Sequence, residues 1–170
     1  MKGKSPKTGY DREGKFGAAW TDVDRNGCDT RNDILERDLT ATVVGDDCHV
    51  MSGSLAEPYT GATIAFTRGA DTSPLVQIDH VVALSNAWQT GAQKLTQAKR
   101  VALANDPRNL LAVDGPTNSS KGDADASAWL PPSPELRCGY VEQVVGVLGA
   151  YGLAIGAEDR EAAEAVLVGC

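Results

Sequence analysis

The segment from residue 76 to residue 121 constrains the fold of this chain more than any other. An apolar strand pattern ends there in Asp79-His80, two helix signals follow, and a second strand pattern begins at Asn109. A turn then leads into a further helix that carries Asn118 near its start. Two strands joined by a crossover and followed by a helix predict a compact strand–strand–helix unit with polar side chains collected at its edges.

The remaining sequence predicts an α+β domain around this unit. Short β-branched runs between residues 40 and 69, separated by Gly, Asp and Pro, predict a small antiparallel sheet. A short helix, an acidic loop and a second helix are predicted before the sheet, and two helices follow residue 133. At 170 residues the chain is long enough for one domain with its own core. We assign residues 11–170 to this domain and 133–170 to its C-terminal helical extension.

The first ten residues, MKGKSPKTGY, are polar and basic. No signal peptide is visible in them, so they resemble the start of a mature chain. We expect this N-terminal segment, residues 1–10, to be flexible.

Four cysteines are widely spaced along the chain, and no two of them form a C-x-x-C pair, which argues against a zinc site. An even number of cysteines favours two disulfides and an oxidising compartment over four buried thiols. Of the three pairings, we favour Cys28–Cys48 and Cys138–Cys170, because each closes a local loop within one half of the chain. The terminal position of Cys170 is also poor for a core thiol and good for a disulfide.

The chain has a net charge of −7 at pH 7, but its charges are segregated along the sequence. Residues 1–20 and 94–121 each carry five basic and two acidic side chains, whereas residues 21–47 carry three basic and eight acidic ones. The region 94–121 could therefore hold an anion while acidic regions face solvent, which permits nucleic-acid binding without establishing it. No run of about 18 apolar residues is present, so no membrane span is expected.

The polar residues of the strand–strand–helix unit suit the hydrolysis of a phosphodiester. Such a reaction needs a base for the attacking water, a divalent cation for the developing charge, and a group that holds the phosphate. His80 suits the first task, and the oxygens of Asp79 and Asn118 suit a hard cation such as Mg²⁺. Asn109 could brace the loop that carries His80, and Lys121 could meet a phosphate as a point charge.

The stretches IDHVVAL, NDPRNLLAV and TNSSKGD resemble the His-Asn-His (HNH, ββα-metal) endonuclease family over about residues 76–127. The flanking stretches FGAAWTDVDRNGCDTRNDIL and ASAWLPP, with the terminal cysteine, resemble its secreted actinobacterial branch, which is related to the C-terminal nuclease domain of GmrSD restriction enzymes. This resemblance implies an α+β fold with a ββα-metal (His-Me finger) core, a small antiparallel sheet and flanking N- and C-terminal helices.

The resemblance also implies a role for each matching residue. His80 would be the general base, Asp79 and Asn118 the metal ligands, and Asn109 the structural middle residue. Many members place His where this chain has Asn118. Members cleave DNA, and in some cases RNA, with Mg²⁺ or Mn²⁺. The sequence pI of about 4.8 departs from what strong DNA binding requires.

Two arginines are further candidates for the site. Arg100 and Arg108 could contact a phosphate, although a solvated helix face or loop is the more ordinary place for such side chains. Trp88 and Trp129 are expected to anchor the core rather than to stack on bases. His49, in a strand-like run, is expected to be structural.

The stretch DVDRNGCDTRND, from Asp22 to Asp33, partly fits an EF-hand loop. Its candidate calcium ligands are the side chains of Asp22, Asp24, Asn26, Asp29 and Asp33. Position twelve is Asp33 where Glu is normal, and a shorter carboxylate reaches the ion less well. Two alternatives stay open: the side chains of the loop could cap their own backbone, or Asp29, Arg31 or Asp33 could fold back toward the nuclease site.

We therefore expect a secreted, metal-dependent endonuclease of low sequence specificity that acts on DNA, with RNA as a second substrate. Its cofactor would be Mg²⁺ or Mn²⁺, with a structural Ca²⁺ as an additional expectation. The alternative is a non-enzymatic, calcium-stabilised extracellular module. A third interpretation is the nuclease domain of a toxin or restriction system. We expect a monomer that needs no obligate protein partner.

Overall fold

The computed structural model describes residues 4–170, and the first three residues of the N-terminal segment lie outside this part. Its helices are α1 Arg12–Phe16, α2 Thr30–Asp38, α3 Leu84–Thr90, α4 Gln97–Ala104, α5 Gly115–Lys121, α6 Arg137–Tyr151 and α7 Ala157–Leu167. Its strands are β1 Leu39–Val44, β2 Val50–Ala56, β3 Thr63–Thr67, β4 Val76–His80 and β5 Leu110–Asp114. The α+β class predicted from the sequence is confirmed.

The strands form two antiparallel sheets. One sheet has the order β1-β2-β3, and the other pairs β4 with β5 so that His80 lies opposite Leu110. Helix α5 follows β5 directly, because the Asp114 carboxylate accepts a hydrogen bond from the N–H of Thr117 and caps the helix. The ββα core is thus present, and α3 and α4 form the crossover between its strands.

The β4–β5 sheet lies between two apolar clusters, which fixes the direction of its side chains. Leu110 and Ala112 of β5 belong to a cluster with α2 and the three-stranded sheet, whereas Val113 belongs to a cluster with α3, α4, α6 and α7. This alternation is the period-two pattern of a strand buried on both faces. A one-residue slip in register would exchange the two faces, so the packing holds Asp79 and His80 in place.

Both predicted disulfides are present. Cys28 pairs with Cys48, and Cys138 pairs with Cys170, with Cα–Cα distances of 5.5 and 5.9 Å. The first joins the acidic loop to the turn before β2, and the second ties the start of α6 to the end of the chain. Such bonds fit an extracellular protein. In the part of the chain that the structure describes, no helix is long and apolar enough to cross a membrane.

Residues 4–10 contact the domain, although we expected this segment to be flexible. The N–H of Ser5 donates to the carbonyl of Gln89 at 2.9 Å, and the indole N–H of Trp88 donates to the carbonyl of Thr8 at 3.3 Å. The ring of Tyr10 lies 6.5 Å from that of Trp88. Aromatic contacts of this kind are not visible in a short polar stretch, and the flexibility of residues 1–10 stays a prediction.

Candidate active site

The end of β4 opens into a cavity of about 200 Å³. The polar side chains in its walls belong to Tyr10, Arg12, Asp79, His80, Asn118 and Asp123. Three of the residues predicted from the sequence therefore share one cavity, because β4 ends at the same edge as the first turns of α5.

The His80 imidazole is held in one orientation. Its Nε2–H donates to the carbonyl oxygen of Ala104 at 2.8 Å, and this bond assigns the proton of the neutral ring to Nε2. The Nδ1 lone pair is then left as an acceptor. The indole of Trp20 stacks on the ring, with centroids 6.1 Å apart and planes inclined by 10°. Burial, together with the charges of Arg12 and Lys121, lowers the pKa of His80 to about 4, so the ring is neutral at pH 7.

Asn109 connects the two segments that hold His80. The side chain is completely buried, and its Oδ1 accepts a hydrogen bond from the N–H of Val82 at 2.8 Å. Its Nδ2 donates to the carbonyls of Val82 and Leu103, both at 3.3 Å. The amide thus joins the loop after His80 to the last turn of α4, which supplies the carbonyl of Ala104. This is the geometry that a bracing residue requires.

The Asp79 carboxylate is bound on both of its oxygens. The hydroxyl of Tyr59 donates to Oδ2 at 2.6 Å, and Nζ of Lys121 lies 2.8 Å from Oδ2 and 3.0 Å from Oδ1. Burial raises the pKa of Asp79, and the opposing charge of Lys121 and the hydrogen bond from Tyr59 act against this. Each carboxylate oxygen has two lone pairs, and the hydrogen bond from Lys121 to Oδ1 uses one of them.

Lys121 is not placed as a phosphate contact. Its side chain is completely buried, and its ammonium also donates to the carbonyl of His80 at 2.8 Å. It does not line the cavity. The spacing to Asn118 suggested an exposed lysine one turn later, but the side chain turns inward because it neutralises Asp79, an otherwise unpaired buried charge.

The donor atoms around the cavity fit a hydrated divalent cation. Nδ2 of Asn118 donates to Oε1 of Gln77 at 2.9 Å, which orients the amide and leaves its oxygen available. Asp79 and Asn118 together offer one carboxylate and one amide oxygen. Among residues 4–170 no three His, Cys, Asp or Glu side chains are grouped to hold a metal ion. A small protein ligand set of this kind suits Mg²⁺, which keeps several waters and also binds substrate phosphate.

The two arginines predicted as phosphate contacts lie elsewhere. Arg100 donates from Nε to the carbonyl of Lys15 at 2.8 Å and from a terminal nitrogen to Oε1 of Gln97 at 2.8 Å. Arg108 is paired with Asp106 at 2.7 Å. Neither side chain lines the cavity, because the crossover that carries both turns them away from the end of β4.

The acidic loop binds its own backbone. The carboxylate of Asp22 accepts from the N–H groups of Arg25 and Gly27, at 2.7 and 3.0 Å, and Asp24 accepts from the N–H of Asn26. This is one of the alternatives that the sequence left open.

The other side chains of the loop bond to α2, to each other or to β4. Asp29 caps α2 through the N–H of Asn32, and Asp33 accepts from the amide of Asn26. Arg31 donates to the carbonyl of Val76 at 3.0 Å. The cavity at His80 is lined by none of these loop side chains, and calcium binding by the loop stays a prediction.

Five residues of the described site were not predicted from the sequence: Tyr10, Arg12, Trp20, Tyr59 and Asp123. Tyr59 comes from a turn between β2 and β3, whereas Trp20 and Arg12 precede the predicted sheet. No motif links these positions to β4. The clustering of basic residues before position 20 was the signal that could have drawn attention to Arg12.

Comparison with known proteins relates the chain to nucleases. A family model for the C-terminal domain of GmrSD restriction endonucleases matches residues 29–161. A protein of Arthroderma benhamiae, described as an uncharacterized secreted protein, is 37% identical over 169 residues, which cover 98% of this chain and 78% of that protein. No solved structure matches. The family predicted from the motifs is confirmed, and the actinobacterial branch stays a prediction. The matched range contains β4, β5 and α5, and the chain therefore belongs to the family of GmrSD restriction endonuclease C-terminal domains.

Proposed function

We propose that this protein is a secreted, metal-dependent endonuclease of low sequence specificity that hydrolyses phosphodiester bonds in DNA and, as a second substrate, in RNA. The family is one of nucleases, which supports a nucleic-acid substrate. One observation carries the proposal: His80, whose Nε2–H bonds Ala104 and whose Nδ1 is therefore unprotonated in the neutral ring, lines the same cavity as Asp79 and Asn118.

His80 acts as the general base in this proposal. Its Nδ1 takes the proton of the attacking water, and the bond from Nε2–H to Ala104 stabilises the charged imidazolium that results. The stack with Trp20 keeps the ring from turning. A base whose orientation is fixed in advance loses little entropy on the way to the transition state.

Asp79 and Asn118 hold the divalent cation. Bound Mg²⁺ or Mn²⁺ would offset negative charge on the phosphate and on the leaving oxygen. Lys121 and Tyr59 keep the Asp79 carboxylate in one orientation, as supporting groups around a metal ligand generally do.

Low specificity follows from the chemistry of the target. Contacts to phosphate carry no sequence information, and the cavity side chains suit a phosphate and a cation rather than base edges. Secretion is supported by the two disulfides and by the relative described as secreted.

A plasmid-nicking assay with Mg²⁺, Mn²⁺ or EDTA, repeated on RNA, tests the proposal. We expect cleavage that EDTA abolishes. Asp79→Asn and Asn118→Ala should each weaken Mn²⁺ binding, measured by titration calorimetry, and lower the cleavage rate. Asp46→Asn is the matched control, because Asp46 is exposed and distant in sequence from the cavity residues. Metal-independent cleavage would contradict the proposal, as would full activity in both ligand variants.

A further inference from the structure

Tyr10 and Arg12 form part of the wall of the cavity, and Arg12 is the charged one of the two. Arg12 lines the same cavity as Asp79, His80 and Asn118. Of the lining residues that the structure describes, it is the one arginine or lysine. The family match begins at residue 29, so this residue lies outside the region that defines the family.

The backbone that carries Arg12 is anchored. Phe16, at the end of α1, is 1% exposed and belongs to the apolar cluster with α3, α4, α6 and α7. Its ring lies 6.4 Å from that of Trp88, and Nε of Arg100 donates to the carbonyl of Lys15 in the last turn of α1. The guanidinium of Arg12 is therefore presented by a short helix fixed to α3 and α4 and not by a free arm.

The carboxylates that line the cavity are paired with lysines, and Arg12 is not paired with either of them. The carboxylate of Asp79 is paired with Lys121, and that of Asp123 with Lys7 at 2.7 Å. Within residues 4–170 no hydrogen bond or ion pair engages the guanidinium of Arg12, which is exposed. An exposed arginine without a partner is ordinary on a protein surface. Arg12, however, lines the same cavity as His80 and the two proposed metal ligands.

We propose that Arg12 binds the substrate phosphate at His80. A guanidinium can donate two parallel hydrogen bonds to two phosphate oxygens, which both attracts the substrate and fixes its orientation. This inference rests on the proposed nuclease function. It assigns phosphate binding to a residue that precedes the region matched by the family model. The side chains of Arg100, Arg108 and Lys121 are engaged in other contacts.

Steady-state cleavage of a plasmid and of single-stranded oligonucleotides of several sequences tests the proposal, with rates expressed per folded molecule. Arg12→Gln should lower kcat/KM by about 10- to 100-fold, the loss that corresponds to a charge-assisted hydrogen-bonded contact. The loss should be similar for every sequence, and the slope of log(kcat/KM) against log[salt] should flatten by about 1. Arg12→Lys should fall between Arg12→Gln and wild type, because an ammonium keeps the charge but not the two parallel bonds.

Arg25→Gln is the matched control, because Arg25 is exposed, lies outside the cavity wall and carries the same charge. It should cleave within about twofold of wild type, as expected for a distant, solvent-screened charge. If wild type cleaves and Arg12→Gln matches Arg25→Gln in rate and salt slope, the assignment of Arg12 is overturned and the nuclease function stands. If folded wild type and Arg25→Gln cleave nothing with Mg²⁺ or Mn²⁺, both are overturned.

Discussion

Asn109 and His80 are joined through the backbone on both sides of the imidazole. The amide of Asn109 bonds Val82 in the loop that follows His80 and also Leu103, whose neighbour Ala104 accepts the bond from the His80 ring. The hydrogen bonds of Asn109 therefore hold His80 and also join the two ends of the β4–β5 crossover. Its orientation depends on the fold, since no solvent-exposed contact is needed to set it.

Asn109→Ala should lower both activity and stability. The change leaves the N–H of Val82 and two carbonyls buried without their partner, at a cost of about 1 to 3 kcal/mol in the free energy of unfolding. Urea denaturation measures this cost, and plasmid nicking should fall further than the loss of folded protein explains. Asn105→Ala is the control, because Asn105 is equally buried but its amide donates to a single carbonyl, that of Val101. Equal losses in the two variants would contradict a bracing role.

Lys121→Met should destabilise the fold and not only slow catalysis. Removing one partner of a buried ion pair leaves Asp79 charged and unpaired, which costs about 3 to 5 kcal/mol. The double variant Asp79→Asn with Lys121→Met should recover much of that loss. Lys99→Met, on the exposed face of α4, should change stability by less than about 0.5 kcal/mol. A Lys121→Met protein of wild-type stability would instead favour a phosphate contact.

The hydrogen bonds of Asp106, in the turn before β5, should stabilise the fold less at acid pH. Burial alone would raise the pKa of Asp106, but hydrogen bonds from Arg108 and from the hydroxyl of Tyr151 outweigh it, so the net pKa is lowered. A carboxyl with a lowered folded pKa stabilises the protein above its unfolded pKa of about 3.9. That contribution is lost as the pH falls through the folded pKa. The free energy of unfolding should therefore fall less steeply from pH 5 to pH 2 in Asp106→Asn than in wild type. An equal slope would contradict the assignment.

Each disulfide should contribute to stability without shaping the cavity. In a chain-entropy estimate, loops of 20 and 32 residues are worth about 3 to 4 kcal/mol each. Replacing both cysteines of either pair by Ser should lower the thermal midpoint by several degrees, measured by circular dichroism. Neither pair lines the cavity, so nicking at 25 °C should persist. Loss of activity in a variant that is still folded would show that the disulfide positions the site.

The positions of Asp79, His80 and Asn118 could be predicted from the sequence, because each depends on local secondary structure. Asp79 and His80 end a strand, and Asn118 lies in the first turns of a helix, so periodicity and capping signals place all three at one edge. The disulfides followed from loop closure. Contributions that depend on tertiary packing could not be predicted in this way.

Lys121 shows why. From the sequence alone, Lys121 is expected to be an exposed cation. It is a buried counter-ion because Asp79 is itself buried. Arg12 and Trp20 reach the site because α1 docks on α3 and α4 through aromatic contacts, and no spacing rule connects residues before position 21 to β4. The bond from Arg100 to the carbonyl of Lys15 also arises from this docking, so this basic side chain supports α1 and does not line the cavity.

The most direct test compares the two histidines of the chain. His80→Ala removes the base, whereas His49→Ala removes an exposed imidazole that bonds Asp47 at 2.6 Å outside the cavity. Single-turnover cleavage of a supercoiled plasmid in Mg²⁺ should slow by about 10²- to 10⁴-fold in His80→Ala. It should stay near the wild-type rate in His49→Ala, with Mn²⁺ binding retained in both. Wild-type cleavage by a folded His80→Ala protein would contradict the assignment of His80 as the general base.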